Sequence, residues 1–326
     1  MPEPVRVVVL DDYQRVALAC GPWERLDGRC SVQTVTERIA GTDALVEALA
    51  GAPIVVAMRE RTAFDRERLD RLPDLRLLVT TGMGNAAIDL EAAHRNGVVV
   101  CGTGGRGRHT VELAWALILA LLRSVPQEDA RIRAGGWQQT LGTELDGSTL
   151  GLVGLGRLGA AMVPVGRAFG MDVIAWSQNL DPAHALKAGA VPVGKDELFR
   201  RADVVSIHYK LSARSTGIVG AAEIAAMKPA AYLVNTSRGP ILDTTALLKA
   251  LHDGAIAGAA LDVFDREPLP ADDPLRSAPR TVLTPHLGYV TRENYAVFFA
   301  DVVEDIEAWL DGRVERRLTA APAASG

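Results

Sequence analysis

The sequence predicts an α/β protein built on parallel β-sheets, and three observations carry that prediction. The first hundred residues alternate short apolar runs with helical patterns. A second alternating series begins near Thr149. That second series opens on Gly154, Gly156 and Gly159, spaced G-x-G-x-x-G between an apolar run and a helical pattern. Alternation of this kind implies right-handed βαβ units.

In the first series the expected strands are Val5–Leu10, Ile54–Met58, Leu75–Thr80 and Val98–Cys101, with helices near Thr42–Leu49, Asp65–Leu72 and Asp89–Asn96. The stretch from Gly102 to His109 is glycine-rich and reads as a hinge or binding loop, followed by a long helix from Thr110 to Arg123. The second series supplies six strands: Leu150–Val153, Asp172–Trp176, Val204–Ile207, Ala231–Asn235, Gly258–Val263 and Thr281–Thr284. Six suits two mononucleotide-binding halves. A last helix, Arg292 to Leu310, has no strand of its own to cover there and is expected to return to the first series. Residues 319–326 read as a disordered tail.

Composition narrows the function classes. The chain has 326 residues, 48% hydrophobic, with 35 basic and 40 acidic side chains giving a net charge of −5. Nothing in that balance suggests a nucleic-acid footprint or a membrane-binding surface. Cys20, Cys30 and Cys101 share no metal spacing and cannot form a full disulfide framework, so a reducing cytoplasm is expected. The N-terminus runs into a strand without a signal-peptide layout. The apolar run from Val111 to Leu122 is too short for a bilayer and carries Glu112, so it is expected to be a buried helix.

In a dinucleotide site the three glycines have separate tasks: a tight turn, close approach to pyrophosphate, and close helix–strand packing. The helix that follows offers free N–H groups to phosphate. Ligands of open α/β sheets lie beyond the carboxyl ends of the strands. The fourth strand there gives Asn235, Thr236, Ser237 and Arg238; the fifth gives Asp262 and Glu267; the sixth gives Thr284, Pro285 and His286. Each has an ordinary explanation alone: a surface charge, a loop acid, a structural histidine. Together they are what reduction of a 2-keto acid needs. An arginine fork holds the substrate carboxylate, a histidine delivers a proton to the developing alkoxide, and a carboxylate fixes the histidine tautomer. Hydride comes from a reduced nicotinamide.

With these motifs the chain resembles the D-isomer-specific 2-hydroxyacid dehydrogenases, the family of D-3-phosphoglycerate, D-lactate and glyoxylate/hydroxypyruvate dehydrogenases. The resemblance runs from about Val55 to Gly312. It is most specific at Leu150–Gly159, at the segment from Met227 to Gly239, at Ala259–Phe264 with Glu267-Pro268, and at Thr284–His286. It implies two doubly wound parallel-sheet domains, a Rossmann cofactor domain inserted in a flavodoxin-like substrate domain. Residues 1–101 and 289–326 would form the substrate domain, residues 102–288 the NAD(P)-binding domain, with the active site in the cleft between. Arg238, Glu267 and His286 would be catalytic, with Arg238 and His286 also touching substrate. Gly154, Gly156, Arg157, Leu158, Gly159, Ser177, Gln178, His208, Thr236 and Asp262 would contact the cofactor, Asp262 through the nicotinamide carboxamide. Met83 and Gly84, in the loop Gly82–Gly84, would help bind the substrate carboxylate. A homodimer through the cofactor domain is the family default.

Three departures follow. NAD-dependent members usually carry an acid at the position of Ser177; its absence removes an obstacle to NADP, yet the turn holds no cation to attract a 2′-phosphate, so NAD or NADP remain open. His208-Tyr-Lys-Leu211 replaces a proline-containing loop. The chain stops soon after Gly312, without the regulatory domain of longer phosphoglycerate dehydrogenases. Arg59 and Arg61, at the end of the second strand, resemble a phosphate-binding loop and point to a substrate with a second anionic group; solvated surface arginines are the plain alternative. Arg106, Arg108 and His109 lie in the hinge loop. The competing class is a dinucleotide-sensing binding protein, as in the family's co-repressors. Formate dehydrogenase is disfavoured by Glu267, where those enzymes have glutamine.

Overall fold

The computed structural model describes residues 3–320, so the tail expected at 319–326 lies outside them from residue 321 onward. Two compact units divide the chain: Met1–Arg106 with Thr291–Gly326, and Gly107–Val290.

The first unit is built on five parallel strands, β1 (Val5–Val9), β2 (Cys30–Thr34), β3 (Ile54–Ala57), β4 (Leu77–Thr80) and β5 (Val99–Gly102), in the order β2-β1-β3-β4-β5. This is the flavodoxin-like doubly wound order. β3 and β4 are buried along their whole length, as expected of strands covered on both faces. β2 is the strand that the apolar pattern missed. Its sequence, Cys-Ser-Val-Gln-Thr, alternates between half-buried and exposed at the sheet edge and carries no continuous apolar run. The helix Arg292–Leu310 belongs to this unit and buries Phe299, Val302, Val303 and Ile306. Its side chains also fix the glycine-rich segment after β5: Asp301 Oδ2 accepts from Gly104 N at 2.7 Å, and Asn294 Oδ1 from Arg106 N at 2.8 Å. A Cβ on Gly105 would stand 3.2 Å from the Phe298 ring, close enough that the ring would have to shift by a few tenths of an ångström. Residues 316–318 pair antiparallel with the outer edge of β5 through Gly102 N to Arg316 O and Leu318 N to Val100 O.

The second unit holds seven parallel strands: β6 (Thr149–Val153), β7 (Asp172–Trp176), β8 (Val191–Pro192), β9 (Val204–Ile207), β10 (Tyr232–Asn235), β11 (Gly258–Leu261) and β12 (Thr281–Leu283). They lie in the order β12-β11-β10-β9-β6-β7-β8, which is the Rossmann arrangement with one strand added beyond the sixth. The strand absent from the sequence expectation is β8, two residues long and too short to show a period. The helix His109–Leu122 packs on β10, β11 and β12 and buries Ala114, Leu117, Ile118 and Leu121, which accounts for its apolar composition. Among the described residues no single helix is long and apolar enough to cross a membrane; His109–Leu122 and Val125–Arg133 reach the length only as a pair bent by 62°.

Candidate active site

The glycine turn after β6 is shaped by its contacts. Gly154 has φ +99°, and a Cβ there would stand 2.6 Å from the His208 carbonyl oxygen. A Cβ on Gly159 would stand 2.1 Å from the Gly154 carbonyl oxygen, so only glycine lets the helix Arg157–Ala168 come this close to the turn. A Cβ on Gly156, by contrast, would meet nothing within 4 Å. Gly156 is also the helix N-cap and makes no side-chain cap, leaving the first-turn N–H groups of Arg157, Leu158 and Gly159 to an outside acceptor. Two glycines close the turn and one opens it, which is the shape a pyrophosphate requires. The Thr236 hydroxyl after β10 is buried with no partner among the described residues, a second polar group suited to a ligand.

At the end of β7, Ser177 and Gln178 form a turn whose Gln178 N–H donates to the Tyr209 hydroxyl at 3.1 Å. Tyr209 also stacks on Trp176, with ring centroids 6.2 Å apart. The sequence departure at residues 208–211 therefore has a structural consequence: Tyr209 braces the turn after β7. Its hydroxyl carries no sequence signal beyond its position two residues after β9. His208 lies below the glycine turn with Nε2 2.8 Å from Ser206 Oγ. Burial holds its imidazole down at about 4, so it is neutral over the physiological range.

The loops after β11 and β12 bring Glu267 and His286 together. His286 Nδ1 donates to Glu267 Oε2 at 2.6 Å, and Glu267 Oε1 accepts from Phe264 N at 2.9 Å. The ring of Tyr289 meets the His286 imidazole edge-on at 5.3 Å. His286 itself sits in the left-handed region at φ 54°. Arg238 follows β10 in extended conformation, and its Nη1 donates to the Ser237 carbonyl at 2.8 Å. Asp262, fully buried after β11, accepts from Thr284 Oγ1 at 2.6 Å, Leu287 N at 2.7 Å and Gly288 N at 2.8 Å. Burial pushes this carboxyl above its ordinary range, and the three donors pull it back.

The first unit places its expected residues in two groups. Arg59, left-handed at φ 51°, donates from Nη1 to Thr81 O at 3.1 Å. Its guanidinium lies against Gly82, where a Cβ would clash with it at 1.9 Å. Asn85 ties the Arg59 carbonyl (2.6 Å) to Thr80 Oγ1 (2.9 Å). Arg59 thus shares a loop cluster with the exposed Met83 and with Gly84. Arg61 goes elsewhere: its Nη1 donates to Asp11 O at 2.7 Å, and its guanidinium lies 4.4 Å from the centre of the Tyr13 ring. Tyr13 and Asp11, which no motif marked, hold it there.

Comparison with known proteins agrees with this architecture. Residues 115–288 match the family model described as "D-isomer specific 2-hydroxyacid dehydrogenase, NAD binding domain". A glyoxylate reductase from Aeropyrum pernix is 39% identical over 264 residues, covering 78% of this chain and 79% of its own. A D-3-phosphoglycerate dehydrogenase from Bacillus subtilis is 35% identical over 78% of this chain, which spans 49% of that longer protein. The crystal structure of a phosphoglycerate oxidoreductase from Vibrio cholerae superposes with a TM-score of 0.91 at 34% identity, covering 94% of this chain and 99% of that one. A nicotinamide-dinucleotide sheet followed by arginine, glutamate and histidine at its strand ends, in a chain with these relatives, leaves one assignment: the protein belongs to the D-isomer-specific 2-hydroxyacid dehydrogenases and, as an NAD(P)-dependent oxidoreductase, interconverts 2-keto acids and D-2-hydroxy acids.

Proposed function

We propose that His286 is the proton donor, that Glu267 holds it, and that Arg238 binds the substrate carboxylate. The observation that carries this reading is the 2.6 Å contact between His286 Nδ1 and Glu267 Oε2. A carboxylate on Nδ1 requires a proton there and leaves Nε2 to face the substrate oxygen. When bound, the reduced nicotinamide supplies the hydride. Arg238 polarises the keto group through its hold on the neighbouring carboxylate, and His286 delivers the proton that completes the hydroxyl. The test is NAD(P)H oxidation with a panel of 2-keto acids. His286→Ala should abolish turnover while cofactor binding, followed by nicotinamide fluorescence, persists; undiminished turnover would refute the assignment.

NAD is the proposed cofactor. The Ser177–Leu180 turn offers no cation to a 2′-phosphate, and the nearby Lys195 is engaged, with Nζ 2.7 Å from Glu223 and 5.5 Å from the centre of the Trp176 ring. Initial rates with NADH and NADPH decide this. The substrate domain is proposed to be the first unit, and the substrate a 2-keto acid with a second anionic group near Arg59 and Arg61. A homodimer is proposed through the second unit, where Val125, Ile132, Trp137 and Leu141 are exposed, the last two by 72% and 98%. Light scattering should give twice the chain mass, and Leu141→Glu should lower it.

A further inference from the structure

The loop that carries His286 is short, and its central residue is strained. His286 has φ 54°, and a left-handed backbone at a non-glycine residue persists only where surrounding contacts impose it. The contacts here come from two sides. From below, the carboxylate of Asp262 takes the Thr284 hydroxyl at one end of the loop and the N–H groups of Leu287 and Gly288 at the other. From the opposite side, the Gly288 carbonyl accepts from Thr110 Oγ1 at 2.9 Å and from His109 Nδ1 at 2.5 Å, both at the start of the helix His109–Leu122. Gly288 is sandwiched: a Cβ would stand 3.1 Å from Asp262 Oδ2 and 3.4 Å from Thr110 Cγ2.

We propose that Asp262 and Thr110 are positioning residues of His286, clamping residues 284–288 from two sides so that the imidazole stays on Glu267. This rests on the reading of His286 as proton donor. It gives Asp262 work independent of any hydrogen bond to the nicotinamide carboxamide, and it brings in Thr110, whose hydroxyl reaches the Gly288 carbonyl and lies 3.1 Å from the neighbouring His109 Nδ1.

Three variants separate the possibilities. Thr110→Val keeps the side-chain shape and removes the donor to Gly288 O. Thr110→Ser restores the donor. Asp262→Asn keeps the size but leaves one acceptor oxygen for the three donors. Each is measured for kcat, for substrate KM, for NADH Kd by fluorescence, and for the downfield proton resonance of an imidazole N–H held by a carboxylate, which His286→Ala assigns by abolishing it. The clamp predicts a kcat loss of roughly tenfold for Thr110→Val and roughly 10²-fold for Asp262→Asn, with NADH Kd changed less than about threefold, weakening of the downfield signal, and recovery in Thr110→Ser. The proposal is overturned if Thr110→Val leaves kcat and the signal unchanged, or if Asp262→Asn raises NADH Kd and saturating NADH restores kcat. Should Asp262→Asn fail to fold, the threonine pair still decides. If His286→Ala keeps turnover, the proton-donor reading itself fails. If it is inactive while Thr110→Val is normal, only the clamp fails.

Discussion

The two sheets follow the same doubly wound plan, yet they hold their strand-end residues by different means. In the Gly107–Val290 unit the loops are tied by carboxylates: Glu267 spans Phe264 N and His286 Nδ1, and Asp262 spans three donors. In the other unit the arginines donate to main-chain carbonyls, Arg59 to Thr81 and Arg61 to Asp11, with Glu60 3.6 Å from Arg59 Nε. A carboxylate that fixes a histidine also sets its tautomer, so holding and chemistry are one interaction. A carbonyl that fixes an arginine sets its direction without engaging a second titratable group. Under the proposed roles, carboxylates hold the proton-transfer group while carbonyls hold the charge-recognising arginines, Arg238 on Ser237 O among them, and each part of that division can be broken.

After loss of His286 itself, the largest effect is expected at Glu267. Both of its oxygens accept, so Glu267→Gln, with a single acceptor oxygen, must give up either Phe264 N or His286 Nδ1. It can also present its NH₂ to the ring and impose the wrong tautomer. Turnover should fall by roughly 10²–10³-fold, within the roughly 10²–10⁴-fold that general acid–base catalysis supplies, with NADH affinity unchanged. A loss confined to KM would mean that the carboxylate orients substrate rather than histidine.

The units also carry buried titratable groups of opposite sign. Asp305, on the helix Arg292–Leu310, has a side chain with no exposure, and burial raises its carboxyl to about 7 despite Arg316 Nη2 at 3.2 Å; Asp301 and Glu304 on the same helix add to the rise. A raised carboxyl stabilises the fold fully below the ordinary value near 4, and that contribution disappears as pH climbs through about 7. His208 in the other unit is held down at about 4, so its contribution is present above the ordinary 6.5 and disappears as pH falls through about 4. Between pH 5 and 8, hydrogen exchange corrected for its intrinsic pH dependence should show β5 and the segment 316–318 growing less protected as pH rises. Asp305→Asn should gain stability relative to the parent at pH 8 and much less at pH 5, by an amount on the order of a few kcal/mol. An equal effect at both pH values would show that Asp305 does not titrate in this window.

How much of this was legible in the sequence depends on what holds each residue. Both doubly wound sheets were readable because their central strands are continuous apolar runs, whereas β2 and β8 were hidden by half-exposure and by length. The glycine turn was readable since Gly154 and Gly159 tolerate no side chain, a constraint written directly in residue type. Glu267 and His286 could be paired because they follow neighbouring strands. Tyr209, Thr110 and Tyr13 could not be found, since each acts through one hydroxyl or one ring face reaching a distant segment, and nothing local marks such a contact. Arg59 and Arg61 looked like one group because they are two residues apart. The left-handed backbone at Arg59 and the ring of Tyr13 send them to different loops.

That separation yields the smallest and sharpest prediction. If both arginines served one anion, Arg59→Ala and Arg61→Ala would raise KM for a dianionic 2-keto acid equally. The structure gives them unequal surroundings. Arg59 lies against the Gly82–Gly84 loop, while Arg61 spends part of its guanidinium on the Asp11 carbonyl and the Tyr13 face. Arg59→Ala should therefore raise KM for every 2-keto acid, by roughly tenfold, the worth of one charge-assisted hydrogen bond. Arg61→Ala should raise KM only where a second anion is present, and by less. Tyr13→Leu, which removes the ring but keeps the bulk, should reproduce the Arg61 pattern in weaker form. An unchanged KM for every dianionic substrate in Arg61→Ala would remove the second-anion reading. The carboxylate-held half of the comparison would then stand, with the carbonyl-held half reduced to Arg59.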